Sequence, residues 1–366
     1  MRRDAREPQD RARRRVIALG VGLGLAATRA RAAVAYPDVQ PGAALAFPRD
    51  EGAHPAYRNE WWYATGWLRN AEGRDCGFQL TFFRNRPGVA ESSSSRFAPT
   101  QLLFAHAAIA DPERQRLRIE ERAAREGFGL AEASTAQTDV RIGNWSLAQT
   151  GERFDAKVDA REFAIDLALR AGTPPLLQGD RGVSRKGPAP TDASYYYSRP
   201  QLAVTGTLRL DAQSRSVTGV AWLDHEWSSR YLPAGAVGWD WTGVNFDDGS
   251  ALMAFRIRDA SRRAIWAGGA WRGADGATRI LASGDVEFAA LRRWRSPRTG
   301  NVYPIAFRVR AGDVAVTLDP LFVDQELDAR AGVGTVYWEG AVRASAAGRA
   351  GRGYLELTGY GEPLRI

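Results

Sequence analysis

Trp239-Asp-Trp-Thr-Gly-Val-Asn-Phe246, Asp247-Asp-Gly-Ser250 and Ala251-Leu-Met-Ala-Phe-Arg-Ile257 follow one another as strand, turn and strand. Side chains alternate between the two faces of a strand, so Trp239, Trp241, Gly243 and Asn245 share one face while Asp240, Thr242, Val244 and Phe246 share the other. Alternation supports one wet and one dry face, although neither face is purely apolar. The same grammar extends outward. Leu202 to Leu210 and Ser216 to Trp222 flank the turn Asp211-Ala-Gln-Ser214. Further strand-like runs precede them at 61–68, 77–83, 102–109, 116–121, 154–158 and 163–169. Others follow at 265–271, 286–291, 306–309, 314–318, 336–342 and 354–358. With 38 glycines, 12 tryptophans and few helical stretches, the chain reads as a long antiparallel meander.

A meander of this length must dispose of its edge strands, and closure into barrels does so most completely. About 330 residues beyond the N-terminal segment exceed what one core serves, so two barrels of about eight strands each are expected. The predicted fold is all-β, with an N-terminal barrel over 36–210 and a C-terminal barrel over 211–366. The polar stretch 172–192, rich in Gly, Pro and Arg, is expected to be a long loop, a lid or a crossover.

Residues 1–35 are set apart as an export signal. Arg13-Arg14-Arg15 precede a mildly apolar run from Val16 to Thr28, and Ala30-Arg-Ala32 and Ala33-Val-Ala35 offer small-residue cleavage sites. The run is short for a permanent membrane span, and its arginines favour the twin-arginine route. The expected location is therefore periplasmic or secreted. Nine arginines against Asp4, Glu7 and Asp10 make this segment +6 of the chain's formal +8, which leaves the remainder near +2. The basic balance is thus no argument for nucleic acid, and no nucleic-acid-binding motif is present. A single cysteine, Cys76, excludes an internal disulfide and a cysteine-rich zinc site.

Chemistry concentrates between Trp222 and Trp241. His225 stands between Asp224 and Glu226, followed by Trp227, Trp239, Asp240 and Trp241. The other two histidines, His54 and His106, lie 52 residues apart without the local spacing of a metal site. Folding could still bring His54, His106 and His225 together as a metal centre, but no metal or cofactor is expected; phosphate-cradling loops, nucleophile elbows and dinucleotide fingerprints are absent from the sequence. His225 reads equally as a hydrogen-bonded structural histidine and as a catalytic one. The tryptophans read as barrel core or as faces for a ligand. Glu60-Trp61-Trp62-Tyr63 and the inward member of Tyr195-Tyr196-Tyr197, taken as Tyr196, complete the candidate ligand wall. Glu60 could instead pair with Arg58 or Arg84.

Several blocks in order resemble the AttH-like family, which includes carotenoid 1,2-hydratases. They are Phe47-Pro-Arg-Asp-Glu-Gly-Ala-His54-Pro55, Glu60-Trp-Trp-Tyr-Ala-Thr-Gly66, Gln79-Leu-Thr-Phe-Phe-Arg84, His106-Ala-Ala-Ile-Ala-Asp111, Tyr195-Tyr-Tyr-Ser-Arg-Pro200, Leu223-Asp-His-Glu-Trp-Ser-Ser229 and Gly353-Tyr-Leu-Glu-Leu-Thr-Gly-Tyr360. The resemblance implies two lipocalin-like (calycin) barrels and a long apolar ligand, an isoprenoid or a lipid. It also implies a link to an ABC transporter permease, which the expected export would place in the periplasm, and peripheral membrane contact is a further expectation. The alternative it implies is a cofactor-independent lyase that adds water to an acyclic isoprenoid C=C bond. The family's His-x-Trp matches His225-Glu226-Trp227, but its downstream Tyr-x-Asp is replaced by Ser250-Ala-Leu-Met-Ala-Phe-Arg-Ile-Arg-Asp259. Asp240, Glu226 or Asp224 would then have to supply the acid, with His225 sharing the proton handling.

Overall fold

The computed structural model describes residues 34–330 and 334–364. The expected leader at 1–35 therefore falls almost wholly outside the described residues. The described residues form one compact unit. Alternating sequence produces strands almost throughout, and the helical pieces among the described residues are two single turns at Arg49–Glu51 and Ser283–Asp285.

The strands fall into two antiparallel sheets. The first comprises β1 (Asn59–Asn70), β2 (Asp75–Asn85), β3 (Leu102–Asp111), β4 (Arg116–Arg125), β5 (Ala131–Ala133), β6 (Asp139–Ile142), β7 (Trp145–Thr150), β8 (Arg153–Asp159), β9 (Phe163–Arg170), β10 (Leu176–Leu177), β11 (Val183–Arg185), β12 (Ala193–Leu210) and β13 (Gln213–Ser228). Its order is β4-β3-β2-β1-β13-β12-β9-β8-β7-β6-β5, with β10 and β11 paired to β12. It curls until β4 approaches β6, where Arg122 Nη1 donates to the Ile142 carbonyl at 3.3 Å. The second sheet comprises β14 (Ala236–Phe246), β15 (Ala251–Asp259), β16 (Ala264–Arg272), β17 (Thr278–Leu281), β18 (Val286–Arg295), β19 (Val302–Ala311), β20 (Val314–Pro320), β21 (Glu326–Ala329), β22 (Thr335–Ala346) and β23 (Arg349–Leu357). Its order is β17-β16-β15-β14-β23-β22-β20-β19-β18, with β21 paired to β22.

The change of sheet comes later than residue 210. β13 pairs with β12 on one side and β1 on the other, so it closes the first sheet instead of opening the second. The physical reason is the two-residue turn Asp211–Ala212, which obliges β13 to fold back on β12. The crossing between sheets is Ser229–Gly235. The stretch 172–192 is mostly loop, as its composition suggested, pinned to β12 by the short β10 and β11.

The three largest apolar clusters follow from this arrangement. One fills the first sheet, with Trp62, Phe78, Phe82 and Leu223 among its members. A second fills the other sheet around Phe307, Trp338 and Leu355. The third lies between the sheets, with Tyr63, Trp67, Tyr196, Trp222, Trp241 and Tyr354. At that seam Gly77 admits the other sheet: a Cβ there would lie 2.6 Å from the Tyr354 hydroxyl and 2.7 Å from the Ala341 Cβ.

Candidate functional site

Alternation along β13 splits the Asp224-His225-Glu226 cluster between two environments. His225 stands opposite Trp62 of β1 and Tyr197 of β12 and points inside the first sheet. Asp224 and Glu226 stand opposite Tyr63 and Trp61 and point into the seam between the sheets.

On the inner side, Glu60 is the hub. Its Oε1 lies 2.9 Å from His225 Nε2 and 2.8 Å from His54 Nδ1, while Arg84 Nε donates to Oε2 at 2.8 Å. His225 Nδ1 lies 3.1 Å from the Tyr197 hydroxyl, Trp62 stacks on His225, and Trp227 stacks on His54 at 3.7 Å between ring centroids. Burial opposes the charge of Glu60, but Arg84 and then the two histidines outweigh it and hold its pKa well below the usual carboxylate range. Burial also opposes a charge on His54, yet bonds to Asp50 and Glu60 raise its pKa above 6.5. For His225 burial wins and the pKa falls, so the ring stays neutral. The result is an ionised glutamate shared by Arg84, a His54 favoured in its protonated form and a His225 favoured in its neutral form.

His54, Glu60 and His225 are also the one histidine-bearing group among the described residues whose geometry would suit a metal ion. Their donor atoms are already turned on one another at hydrogen-bond distance, and the Arg84 guanidinium adds a fixed positive charge. The chemistry of the set is that of a satisfied ion-pair cluster. His106 stands apart on β3, with Nδ1 2.8 Å from the Tyr337 hydroxyl and burial lowering its pKa to about 4.

Between the sheets lies a cavity of about 380 Å³ that opens to solvent. Trp61, Tyr63, Tyr196, Asp224 and Glu226 line it from the first sheet, and Trp239, Trp241, Phe255, Glu339 and Glu356 from the second. The expected wall residues Trp61, Tyr63, Tyr196, Trp239 and Trp241 are thus brought together. Trp62 is turned away into the first core, and Glu60 borders the cavity with its carboxylate spent elsewhere. Gly243, on the same face as Trp241, is what lets that indole lie flat: a Cβ there would sit 2.7 Å from Trp241 and 3.0 Å from Trp222.

Asp240 is not in the cavity. It points inside the second sheet, where Arg256 Nε donates at 2.6 Å, Arg258 Nε at 2.9 Å and the Tyr360 hydroxyl at 2.9 Å. With its lone pairs so occupied it cannot face a ligand in the seam.

Within the cavity the acids differ. Asp224 accepts from the Tyr196 hydroxyl at 2.7 Å, the Ser198 hydroxyl at 2.5 Å and Trp222 Nε1 at 2.7 Å, and Trp241 Nε1 in turn donates to the Tyr196 oxygen at 3.0 Å. Burial pushes its pKa up to about 7 against those donors. Glu226 is neutralised by Lys186, whose ammonium lies 2.9 Å away, over the rings of Tyr196 and Phe255 at 4.8 and 4.3 Å.

Glu339 and Glu356 were not singled out from sequence. They sit directly opposite each other on β22 and β23. Gln79 Nε2 donates to Glu339 Oε2 at 2.6 Å, while Glu339 Oε1 and the Tyr63 hydroxyl lack a partner in good hydrogen-bond geometry. Burial, and then the charge of Glu356, raises the Glu339 pKa well above 4.5; burial likewise raises Glu356. Two carboxyls facing each other, Glu339 buried and Glu356 partly so, oppose each other's ionisation, which favours a proton retained on the pair. A signal was available: Tyr337-x-Glu339 and Tyr354-x-Glu356 each place a phenol and an acid on one face of a strand otherwise built for burial.

Comparison with known proteins identifies the fold and the family. No curated protein matches the chain in sequence. The crystal structure of an AttH candidate from Nitrosomonas europaea is similar over 88% of this chain and 99% of that one, with 47% identity and a TM-score of 0.83. Kievitone hydratase from Nectria haematococca shares the fold at 14% identity, with 90% of this chain and 97% of that one covered and a TM-score of 0.68. The AttH-like family model matches residues 38–360, nearly all of the described structure. The chain belongs to the AttH-like family.

Proposed function

We propose that the protein takes a small, largely apolar unsaturated ligand into the seam cavity and adds water across, or removes it from, a C=C bond by acid catalysis. The observation that carries this reading is the facing Glu339–Glu356 pair in an aromatic-walled cavity. Hydrating an unactivated alkene requires protonation of carbon, hence a neutral acid poised out of water. The carboxyl pair gives its proton to one alkene carbon and becomes a carboxylate. The carbocation formed at the other carbon is stabilised by the ring faces of Trp61, Trp239 and Trp241. Water adds to that cation and returns a proton to the carboxylate, which restores the acid.

The volume sets the ligand's size. About 380 Å³ lies near the lower end of pockets for drug-sized molecules, so a full-length carotenoid would have to leave most of its chain outside. A hydratase on the same fold, kievitone hydratase, is in keeping with this chemistry. The residues 1–35 further suggest export, and we extend the reading to a location beyond the inner membrane beside an ABC permease.

The test is incubation of the full chain with a panel of short isoprenoid and phenolic alkenes in ¹⁸O-water, followed by mass spectrometry. Incorporation of the label into product, lost in Glu356→Gln and in Glu339→Gln, is the expected result. Tight binding without label in any product would replace the reading with that of a carrier.

A further inference from the structure

An exposed aromatic pair lies on the loops flanking the outer end of β2 and β3. Phe97, in the loop that leaves β2 at Asn85 and returns to β3 at Leu102, is 64% exposed. Phe128, in the turn between β4 and β5, is 48% exposed and stacks on it at 5.0 Å between centroids. Leu130 beside them is 51% exposed. Scattered single apolar side chains are normal on a surface, but a stacked pair with a third neighbour is a patch.

The backbone goes out of its way to present it. Gly127, Phe128 and Gly129 are consecutively left-handed, with φ of 98°, 56° and 71°. The two glycines enter this region freely, whereas a bulky residue rarely does, so Phe128 is held there by the tight turn. That turn is fastened by Gly127 N–H to the Ala131 carbonyl and Leu130 N–H to the Gly127 carbonyl, at 2.9 and 3.0 Å.

Two guanidiniums frame the patch. Arg125 lies 4.9 and 4.7 Å from the ring centroids of Phe97 and Phe128, and Arg96 lies 5.7 Å from that of Phe128. Arg125 Nη1 also donates to the Phe97 carbonyl at 2.8 Å, which ties one loop to the other. Nearby Arg86 and Arg141 are neutralised by Glu91 and Glu132, but Arg96 and Arg125 have no carboxylate in ion-pair range among the described residues.

We propose that this patch docks the protein on an anionic lipid surface. Aromatic rings enter the interface between headgroup and acyl chain, and the two arginines meet lipid phosphates. The Phe97 loop springs from Asn85, which with Phe83 and Phe104 lines the seam cavity, so a docked protein holds that part of the cavity wall towards the source of an apolar ligand. The docking does not depend on the chemistry proposed for the cavity, and it is measured without it.

The experiment is co-sedimentation of the full chain with vesicles of mixed phosphatidylglycerol and phosphatidylcholine, and with phosphatidylcholine alone. Wild type should prefer the anionic vesicles. Arg96→Gln with Arg125→Gln should weaken that binding by about 25-fold, at about fivefold for each arginine. Phe97→Ser with Phe128→Ser should weaken it at least about tenfold. Phe128→Gly should bind more weakly yet melt no lower than wild type, because glycine relieves the left-handed strain. Equal binding of wild type and both double variants would overturn the proposal and assign any binding to the basic residues 1–35. Absence of binding, indifference to lipid charge, or a marked loss of stability in Phe128→Gly would overturn it as well.

Discussion

Glu60→Gln separates a structural from a chemical reading of the His225 cluster. The substitution keeps the shape of the side chain and removes the charge that Arg84, His54 and His225 share. Arg84 is 1% exposed, so its guanidinium would be left inside the sheet without its counter-ion. Breaking a buried pair in this way costs about 3–5 kcal/mol. At about 2.1 cal/mol/K of unfolding entropy per residue over roughly 330 residues, each kcal/mol is worth about 1.4 °C, so a fall in Tm of about 4–7 °C is expected. The pH dependence carries a sign. The folded pKa of Glu60 lies well below 4.5, so its contribution is present above the unfolded value and is lost as pH falls through the folded one. His54, raised above 6.5, adds stability that is full below its unfolded value and lost as pH climbs through the folded one. The gap between wild type and variant should therefore be widest at about pH 5–6.5 and narrow in strong acid. Urea unfolding across that range measures it. A gap under about 1 kcal/mol at pH 6, or lost turnover with unchanged stability, would refute the structural reading of this cluster.

Asp240→Asn should lower stability by a comparable few kcal/mol, since Arg256 and Arg258 lose their shared carboxylate, while ligand affinity measured by calorimetry stays within about twofold. Gly243→Ala should destabilise by about 1–3 kcal/mol and shift tryptophan fluorescence, because the added methyl meets Trp241 and Trp222. Hydration by the Glu339–Glu356 pair needs the neutral acid, so the rate should hold at neutral pH and fall in alkali, and replacement of either residue by Gln should abolish that limb along with turnover. Expression of the full chain in a Gram-negative host should yield a periplasmic product whose intact mass begins after Ala32 or Ala35, and a full-length cytoplasmic product would remove the export proposal.

The fold was legible because alternation and turn residues carry it. Strand 163–170 announces itself by period-two apolar residues and 102–111 by a nearly unbroken apolar run, and Asp247-Asp-Gly-Ser marks its own hairpin. What alternation could not decide was which strand neighbours which, so β13 was allotted to the wrong sheet. The short strands β5 and β6 escape a reading by alternation because Ala131–Ala133 and Asp139–Ile142 are too brief to show a period. At the site, the residues Asp224, His225 and Glu226 looked like one centre only because they adjoin in sequence. Period two sends His225 to one side and its neighbours to the other, and the same rule removes Asp240 from Trp239 and Trp241. Glu339 and Glu356 stayed hidden for the opposite reason. They are nearly twenty residues apart, and only the antiparallel register of β22 with β23 makes them face each other.

Placing the cavity at the seam gives it a mechanical meaning. The outsides of two curled sheets form its walls, and a seven-residue crossing from Ser229 to Gly235 links them in the chain. An occupant is thus a rivet as well as a substrate, since it touches both halves and favours the joined state over any in which they part. By mass action, a ligand at a hundred times its Kd adds about 2.7 kcal/mol, or about 4 °C for a chain of this length. Melting temperature then reports occupancy with no knowledge of the reaction, and a thermal screen of apolar libraries becomes a route to the natural ligand.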